Sequence, residues 1–178
     1  VTDLAFHPTD PNRLWLATGD GDFGDTRSIG IWTSEDGGQS WDPTGLDWAT
    51  FMGRTLQRVL VSPMHPDTLW VASSLGLYRT LNGGDNWTRT LIGNIASLEL
   101  DPADPEHLLA GEYGNRIFES HDAGETWSEQ SLDGSAFGIS RIALAFAPSA
   151  PDTVYAVAGN VSDQGLAGVW RSTDNGDT

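Results

Sequence analysis

The chain has 178 residues, and its 25 acidic side chains stand against nine basic ones, all arginine, for a formal net charge of −16. A surface of that sign excludes nucleic acid as a partner, and the absence of cysteine excludes disulfides and thiolate metal sites. With 38% hydrophobic residues and eight tryptophans there is material for a core, and no run of 18 apolar residues is present to span a membrane as a helix.

From the N-terminus, Leu4 and Phe6 alternate with polar neighbours and read as a first strand, A. Phe6-His7-Pro8-Thr9-Asp10-Pro11 is a turn signal, and Leu14-Trp15-Leu16-Ala17 after it is strand B. A loop rich in glycine and aspartate leads to Gly30-Ile31-Trp32, strand C. Next comes Ser34-Glu35-Asp36-Gly37-Gly38-Gln39-Ser40-Trp41, predicted to be a hairpin into strand D. Asp36 is placed to accept backbone N–H groups inside that turn, Gly38 takes positive φ without a Cβ penalty, and Ser34 ties down the flanking backbone. Trp41 then closes the hairpin against its own sheet.

The same order recurs three times. Val59 and Val61, a turn over 61–66, Leu69-Trp70-Val71-Ala72 and Gly76-Leu77-Tyr78 lead to a second hairpin with Thr80, Asn82, Gly84 and Trp87. Leu98 and Leu100, a turn over 100–105, Leu108-Leu109-Ala110 and Arg116-Ile117-Phe118 lead to a third, with Ser120, Asp122, Gly124 and Trp127. Leu144 and Phe146, a turn over 146–151, Val154-Tyr155-Ala156-Val157 and Gly168-Val169-Trp170 lead to a fourth, with Ser172, Asp174 and Gly176. The first proline of each turn recurs at 8, 63, 102 and 148, a period of about 40 to 55 residues, and each period holds four short strands. No window carries a sustained 3.6-residue apolar stripe, which excludes a helical solenoid. The expected fold is therefore all-β: a β-propeller of four-stranded antiparallel blades over approximately 1–45, 56–92, 95–132 and 139–178, the last incomplete. The chain is expected to be a segment of a longer protein.

In antiparallel blades the A–B turns and C–D hairpins emerge on one face and the B–C and D–A loops on the other. The repeated motifs read as fold-forming turns, so function is expected where the repeats differ. They differ in the length of the B–C loops of blades one and four and of the D–A loops after blades one and three, all predicted on the same face. The first enlarged loop, 19–28, holds Asp20, Asp22 and Asp25, hard oxygen ligands that point to Ca²⁺, to a solvated acidic loop, or to a catalytic carboxylate pair. Phe23 and Arg27 share it. The second, 46–54, places Trp48, Phe51 and Arg54 where aromatic rings stack on a sugar or a partner protein, or form a small core beneath the loop. Phe137 and the pair Asn160 and Asp163 mark the other two. The four histidines, His7, His65, His107 and His121, fall in turns or a hairpin with no ligand spacing between any two, and read as structural or solvated.

The four hairpins resemble the Asp-box (BNR) repeat propellers, which include sialidases, sortilin-type receptors, photosystem II assembly propellers and two-propeller xyloglucan-hydrolysing glycosidases. The second hairpin departs, with Asn82 for the acid and Asn86 for the hydroxyl residue. The stretch from Ala17 to Gly38 resembles large secreted bacterial surface proteins whose propeller precedes other modules and a type IX sorting tail, which implies a secreted or cell-surface location. The sialidase arginines and tyrosine nucleophile have no counterpart. Phe6 to Thr18 is similar to the first xyloglucanase blade, where an acid after that threonine is catalytic; Gly19 holds the matching place here and Asp20 the next. The expected function is a noncatalytic module that binds a glycan or protein through its enlarged loops, without cofactor or with Ca²⁺ at the aspartates of the first. The alternatives are a glycoside hydrolase using Asp20 or Asp22, and a structural subunit of a surface assembly.

Overall fold

A computed structural model describes residues 1–20, 26–132 and 138–176. The first four strands are β1 (Asp3–Phe6), β2 (Leu14–Ala17), β3 (Gly30–Ser34) and β4 (Asp42–Asp47). They are followed by β5 (Leu56–Val61), β6 (Leu69–Ser73), β7 (Gly76–Thr80) and β8 (Thr88–Ile92). Then come β9 (Ile95–Leu100), β10 (Leu108–Glu112), β11 (Arg116–Ser120) and β12 (Ser128–Ser131), and last β13 (Ile139–Phe146), β14 (Val154–Asn160) and β15 (Leu166–Ser172). Among the described residues they pair as antiparallel meanders in chain order, three sheets of four strands and a fourth of three. This is the all-β, blade-by-blade arrangement that the sequence pattern predicts. The chain divides into two units, Val1–Ile92 with the first two sheets and Gly93–Thr178 with the last two.

The hairpins form as their chemistry requires. Asp36 Oδ1 accepts the Gln39 and Ser40 N–H groups, each at 2.9 Å, and the Ser34 hydroxyl at 2.8 Å, while its Oδ2 accepts the Ser40 hydroxyl at 2.6 Å. The Ser34 oxygen in turn accepts Gly38 N–H, and the Trp41 indole donates to Gly38 O at 3.1 Å. The third hairpin repeats this set around Asp122, and in the second Asn82 Oδ1 accepts from the Thr80 hydroxyl and Asn86 N–H. The fourth place of each hairpin donates to the A–B turn of its own sheet: Gly37 to Asn12 O, Gly83 to Asp67 O, Ala123 to Glu106 O and Asn175 to Asp152 O, at 2.8–3.0 Å. Turn and hairpin are thus bonded together at one end of every sheet, as strand parity demands.

Within the first unit the two sheets stack on a core that includes Trp15, Ile31, Leu56, Val59, Leu69 and Val71, with Trp87 packed against it. Every residue of β6 is buried, as in a strand covered on both faces. Each fully buried indole, Trp15 or Trp70, contributes about 4–6 kcal/mol at ~25 cal/mol per Å² of apolar area, an upper bound for a compact unfolded chain. Polar bonds fix the stacking: Asp3 Oδ2 on β1 accepts Val59 N–H of β5, Gly45 N–H donates to Gly84 O, and the buried Trp15 indole donates to Gly83 O at 2.9 Å. Leu4 and Phe6 share a face as predicted; that face is exposed in β1, whereas Val59, Leu98 and Leu144, their counterparts in β5, β9 and β13, are buried.

The second unit repeats the device, with Ser97 Oγ of β9 accepting Leu144 N–H of β13 over a core that includes Leu109, Ile117, Ile142, Leu144 and Val154. Its last sheet alternates more openly: Val154, Ala156 and Ala158 of β14 point inward and Tyr155 and Val157 outward.

Candidate functional site

In the first unit two of the enlarged loops are built into one frame. Thr18 follows β2, its hydroxyl donating to Gly30 O at 2.7 Å and accepting Ile29 N–H at 2.9 Å, beside the buried Ser28 hydroxyl at 3.1 Å. At Gly19, with φ +94°, a Cβ would lie 2.9 Å from Ser28 N, so only glycine lets the two loop arms approach this closely. Asp20 then closes the loop base in both directions: its N–H donates to Thr26 O and its Oδ2 accepts Thr26 N–H, both at 3.1 Å. Its Oδ1 is buried with no hydrogen-bond partner among the described residues.

The second loop docks onto that base. Ser28 N–H donates to Arg54 O at 3.2 Å, and the exposed Arg27 guanidinium donates to Gly53 O at 3.3 Å. Trp48 N–H reaches Ile29 O at 3.4 Å, and the Trp48 side chain is a core residue rather than a loop-surface one, only 8% exposed. The reason is local packing: Tyr78 lies against its ring at 6.4 Å and the Arg54 guanidinium covers the ring face at 5.3 Å. A 3₁₀ turn over Thr50–Met52, ended by Gly53 at φ +65°, carries what the core does not take. Phe51 is 86% exposed and Met52 48%. The result is a solvent-facing aromatic ring on a short braced turn, with Arg27 bonded to the turn's terminal glycine and the Asp20 carboxylate at the base of the loop that Arg27 leaves. An exposed aromatic ring and a guanidinium are groups that stack on sugar C–H faces and bond sugar hydroxyls.

The other expected site residues divide. Asp22, Phe23, Asp25 and Phe137 lie outside the described residues, so of the aspartates proposed for Ca²⁺ or catalysis only Asp20 is placed. Asn160 and Asp163 serve their own turn in the second unit: Asn160 Oδ1 accepts the Ser162 N–H and hydroxyl, and Asp163 Oδ1 accepts Gly165 N–H. Among the described residues these side chains bond only within their own turn.

A group that the spacing of histidines does not reveal stands in the second unit. His107, fully buried just before β10, has Nδ1 at 3.0 Å from Asp101 Oδ2 and Nε2 at 2.9 Å from Glu119 Oε1. His121 Nε2 lies 3.2 Å from the same Glu119 oxygen, and the two imidazoles stack at 4.6 Å and 9°. Gln130 holds Glu119 Oε2 at 2.9 Å, Asn175 of the fourth hairpin donates to Asp101 at 3.2 Å, and Phe146 meets His107 edge-on. Burial pushes the Asp101 carboxyl up, but the His107, Ala103 and Asn175 hydrogen bonds outweigh it and hold the group below its ordinary range. The sequence shows no ligand spacing between His107 and His121 and reads both as structural or solvated. They meet because one lies in an A–B turn and the other in a C–D hairpin, and those are bonded in every sheet; parity was the signal that would have paired them.

No model of a known protein family matches the chain. Among curated proteins it is 33% identical over 87 residues to a probable oligoxyloglucan-reducing end-specific xyloglucanase of Neosartorya fischeri, covering 47% of this chain and 10% of that one. It is 27% identical over 182 aligned positions to a xyloglucanase of Paenibacillus sp, covering 97% of this chain and 16% of that one. The chain therefore spans less than a fifth of the length of the curated relatives it matches. Among solved structures, an ancestral GH74 enzyme superposes with a TM-score of 0.77 at 21% identity, over 98% of this chain and 23% of that one. YCF48 from Cyanidioschyzon merolae superposes with 0.57 at 18% identity, over 92% of this chain and 54% of that one. Identity this low carries the fold, and the fold that the sheets and the superpositions give together is a run of β-propeller blades.

Proposed function

We propose that the chain is a noncatalytic part of a secreted or cell-surface β-propeller of the Asp-box kind, which binds a β-glucan-type glycan through the loops joined at Gly53 and Arg54. The observation that carries this reading is Phe51, an almost fully exposed ring on a turn whose closing glycine is bonded by Arg27. Exposing a large ring costs hydrophobic free energy unless something covers it in use, and a pyranose face suits a single flat ring flanked by cations and carboxylates. Two relatives named xyloglucanase support the choice of glycan. Isothermal titration with xyloglucan oligosaccharides tests it: the Phe51→Ala chain is expected to bind at least about tenfold more weakly, the ~1.4 kcal/mol scale of one lost aromatic stack, with unchanged thermal stability. Equal affinity in the two chains would sink the proposal.

A second reading rests on Asp20, whose buried Oδ1 has no hydrogen-bond partner among the described residues and which stands in a sequence segment that also carries Asp22 and Asp25. On that reading the chain contributes one carboxylate of a glycosidase pair. Reducing sugar released from β-glucan by the wild-type chain and lost in Asp20→Asn would favour it over the binding module.

A further inference from the structure

We propose that His107, His121 and Glu119 form a binding site for a divalent transition metal, Zn²⁺ above all, with one coordination position open to solvent. The donor atoms of the three residues lie within 4.8 Å of one another, and both imidazole Nε2 atoms converge on one oxygen, Glu119 Oε1, at 2.9 and 3.2 Å. Donors sharing one tetrahedral Zn²⁺ at bond lengths of ~2.0–2.1 Å stand about 3.3 Å apart, close to these separations. Two imidazoles and a carboxylate suit Zn²⁺, Co²⁺, Ni²⁺ or Cu²⁺, whereas Ca²⁺ and Mg²⁺ call for a cage of oxygens.

The surroundings are those of a supported metal site. Asp101, itself buried, bonds His107 Nδ1 and so leaves Nε2 as the nitrogen directed at Glu119, the carboxylate–histidine–metal arrangement. Gln130 fixes the other Glu119 oxygen and presents Oε1 to both rings. His107 and Glu119 are rigidly buried, while the His121 side chain is 62% exposed. An imidazole lone pair lies in the ring plane, so coordination turns His121 out of its parallel stack while the other two ligands stay in place. Beyond them a shallow cavity of about 270 Å³ is lined by Ser120, Asp122, Thr126 and Ser128, where a water or another oxygen ligand completes the coordination. An occupied site would clasp the A–B turn of the third sheet to its C–D hairpin, and Asp101 carries the link on to Asn175 of the fourth.

A proton on His107 Nε2 is the competing occupant of the gap beside Glu119, and titration calorimetry of the full chain with ZnCl₂ at pH 7.5, after chelator treatment, separates the two. The expected result is one saturable site per chain, unaffected by millimolar Mg²⁺, with a Zn²⁺-dependent rise in melting temperature. His121→Ala, which alters only an exposed side chain, is expected to weaken binding at least about tenfold and to abolish that rise. His65→Ala, at an exposed histidine of another turn, leaves both unchanged. Absence of saturable Zn²⁺ binding in the wild-type chain, or equal binding by wild type and His121→Ala, overturns the proposal.

Discussion

Asp36 and Asp122 show what one carboxylate contributes to a tight hairpin. Each accepts four hydrogen bonds from residues no more than four places away, and each is held down at a pKa of about 2. For Asp36 the Ser40 hydroxyl is the largest cause; for Asp122 partial burial acts most strongly and upward, and the Thr126 and Ser120 bonds override it. A folded-state pKa depressed below the ordinary 3.8 means stability that is complete above that value and lost as pH falls through it toward 2. The urea midpoint of the wild-type chain is therefore expected to fall between pH 5 and pH 2.5. In the double variant Asp36→Asn, Asp122→Asn that fall is expected to be smaller, because an amide has no charge to lose. Asn82 shows that an amide supports the same turn, so the variant folds. An undiminished acid-induced fall in the variant would assign the effect to other carboxylates. These hairpins were fully legible in the sequence, since every group in them acts within eight residues. Trp48 was not: Tyr78 reaches its ring from β7 of the next sheet, and only once the ring is turned in against it does Arg54, six residues on in the same loop, cover the other face.

At the scale of elements, the joints between stacked sheets are made by strand B and the hairpin of the next sheet. Trp15 on β2 is wholly buried and gives its indole N–H to Gly83 O, while Arg13 beside it pairs with Asp67 at 2.7 Å. The ion pair is half solvated and adds little, whereas the indole bond is buried and its loss leaves a carbonyl unsatisfied. Trp15→Phe, which keeps most of the apolar area, is expected to cost about 2 kcal/mol in urea denaturation at pH 7, a lost buried hydrogen bond plus a small cavity. Arg13→Ala is expected to stay within about 1 kcal/mol of wild type; the reverse order would place the joint in the ion pair. The strands of these joints follow from short apolar runs bounded by turn signals, and the end of the sheet at which A–B turn and C–D hairpin meet follows from parity. The convergence of His107, Glu119 and His121 combines both, but an imidazole in a turn looks the same in sequence whether it faces water or a buried carboxylate.

For the molecule as a whole, the charge of −16 without a single lysine sets the condition under which the fold is most stable. Carboxylates crowded on a small surface repel one another, and salt at ~1 M shortens the screening length to ~3 Å. The melting temperature is expected to rise between 10 mM and 1 M KCl, and equal values at the two concentrations would show that the acidic shell serves solubility alone. What the sequence by itself determined is every feature whose contacts are local, the strands and the four hairpins, together with the face on which hairpins and A–B turns emerge, and through their repetition the propeller fold. Only the tertiary structure decided which side chains of the irregular loops point in or out. It turned Trp48 into the core and Phe51 to solvent, and it brought two histidines onto one glutamate. The physical reason is that hydrogen bonding within a turn depends on residues a few places apart, whereas burial depends on which surface packs against it from tens of residues away.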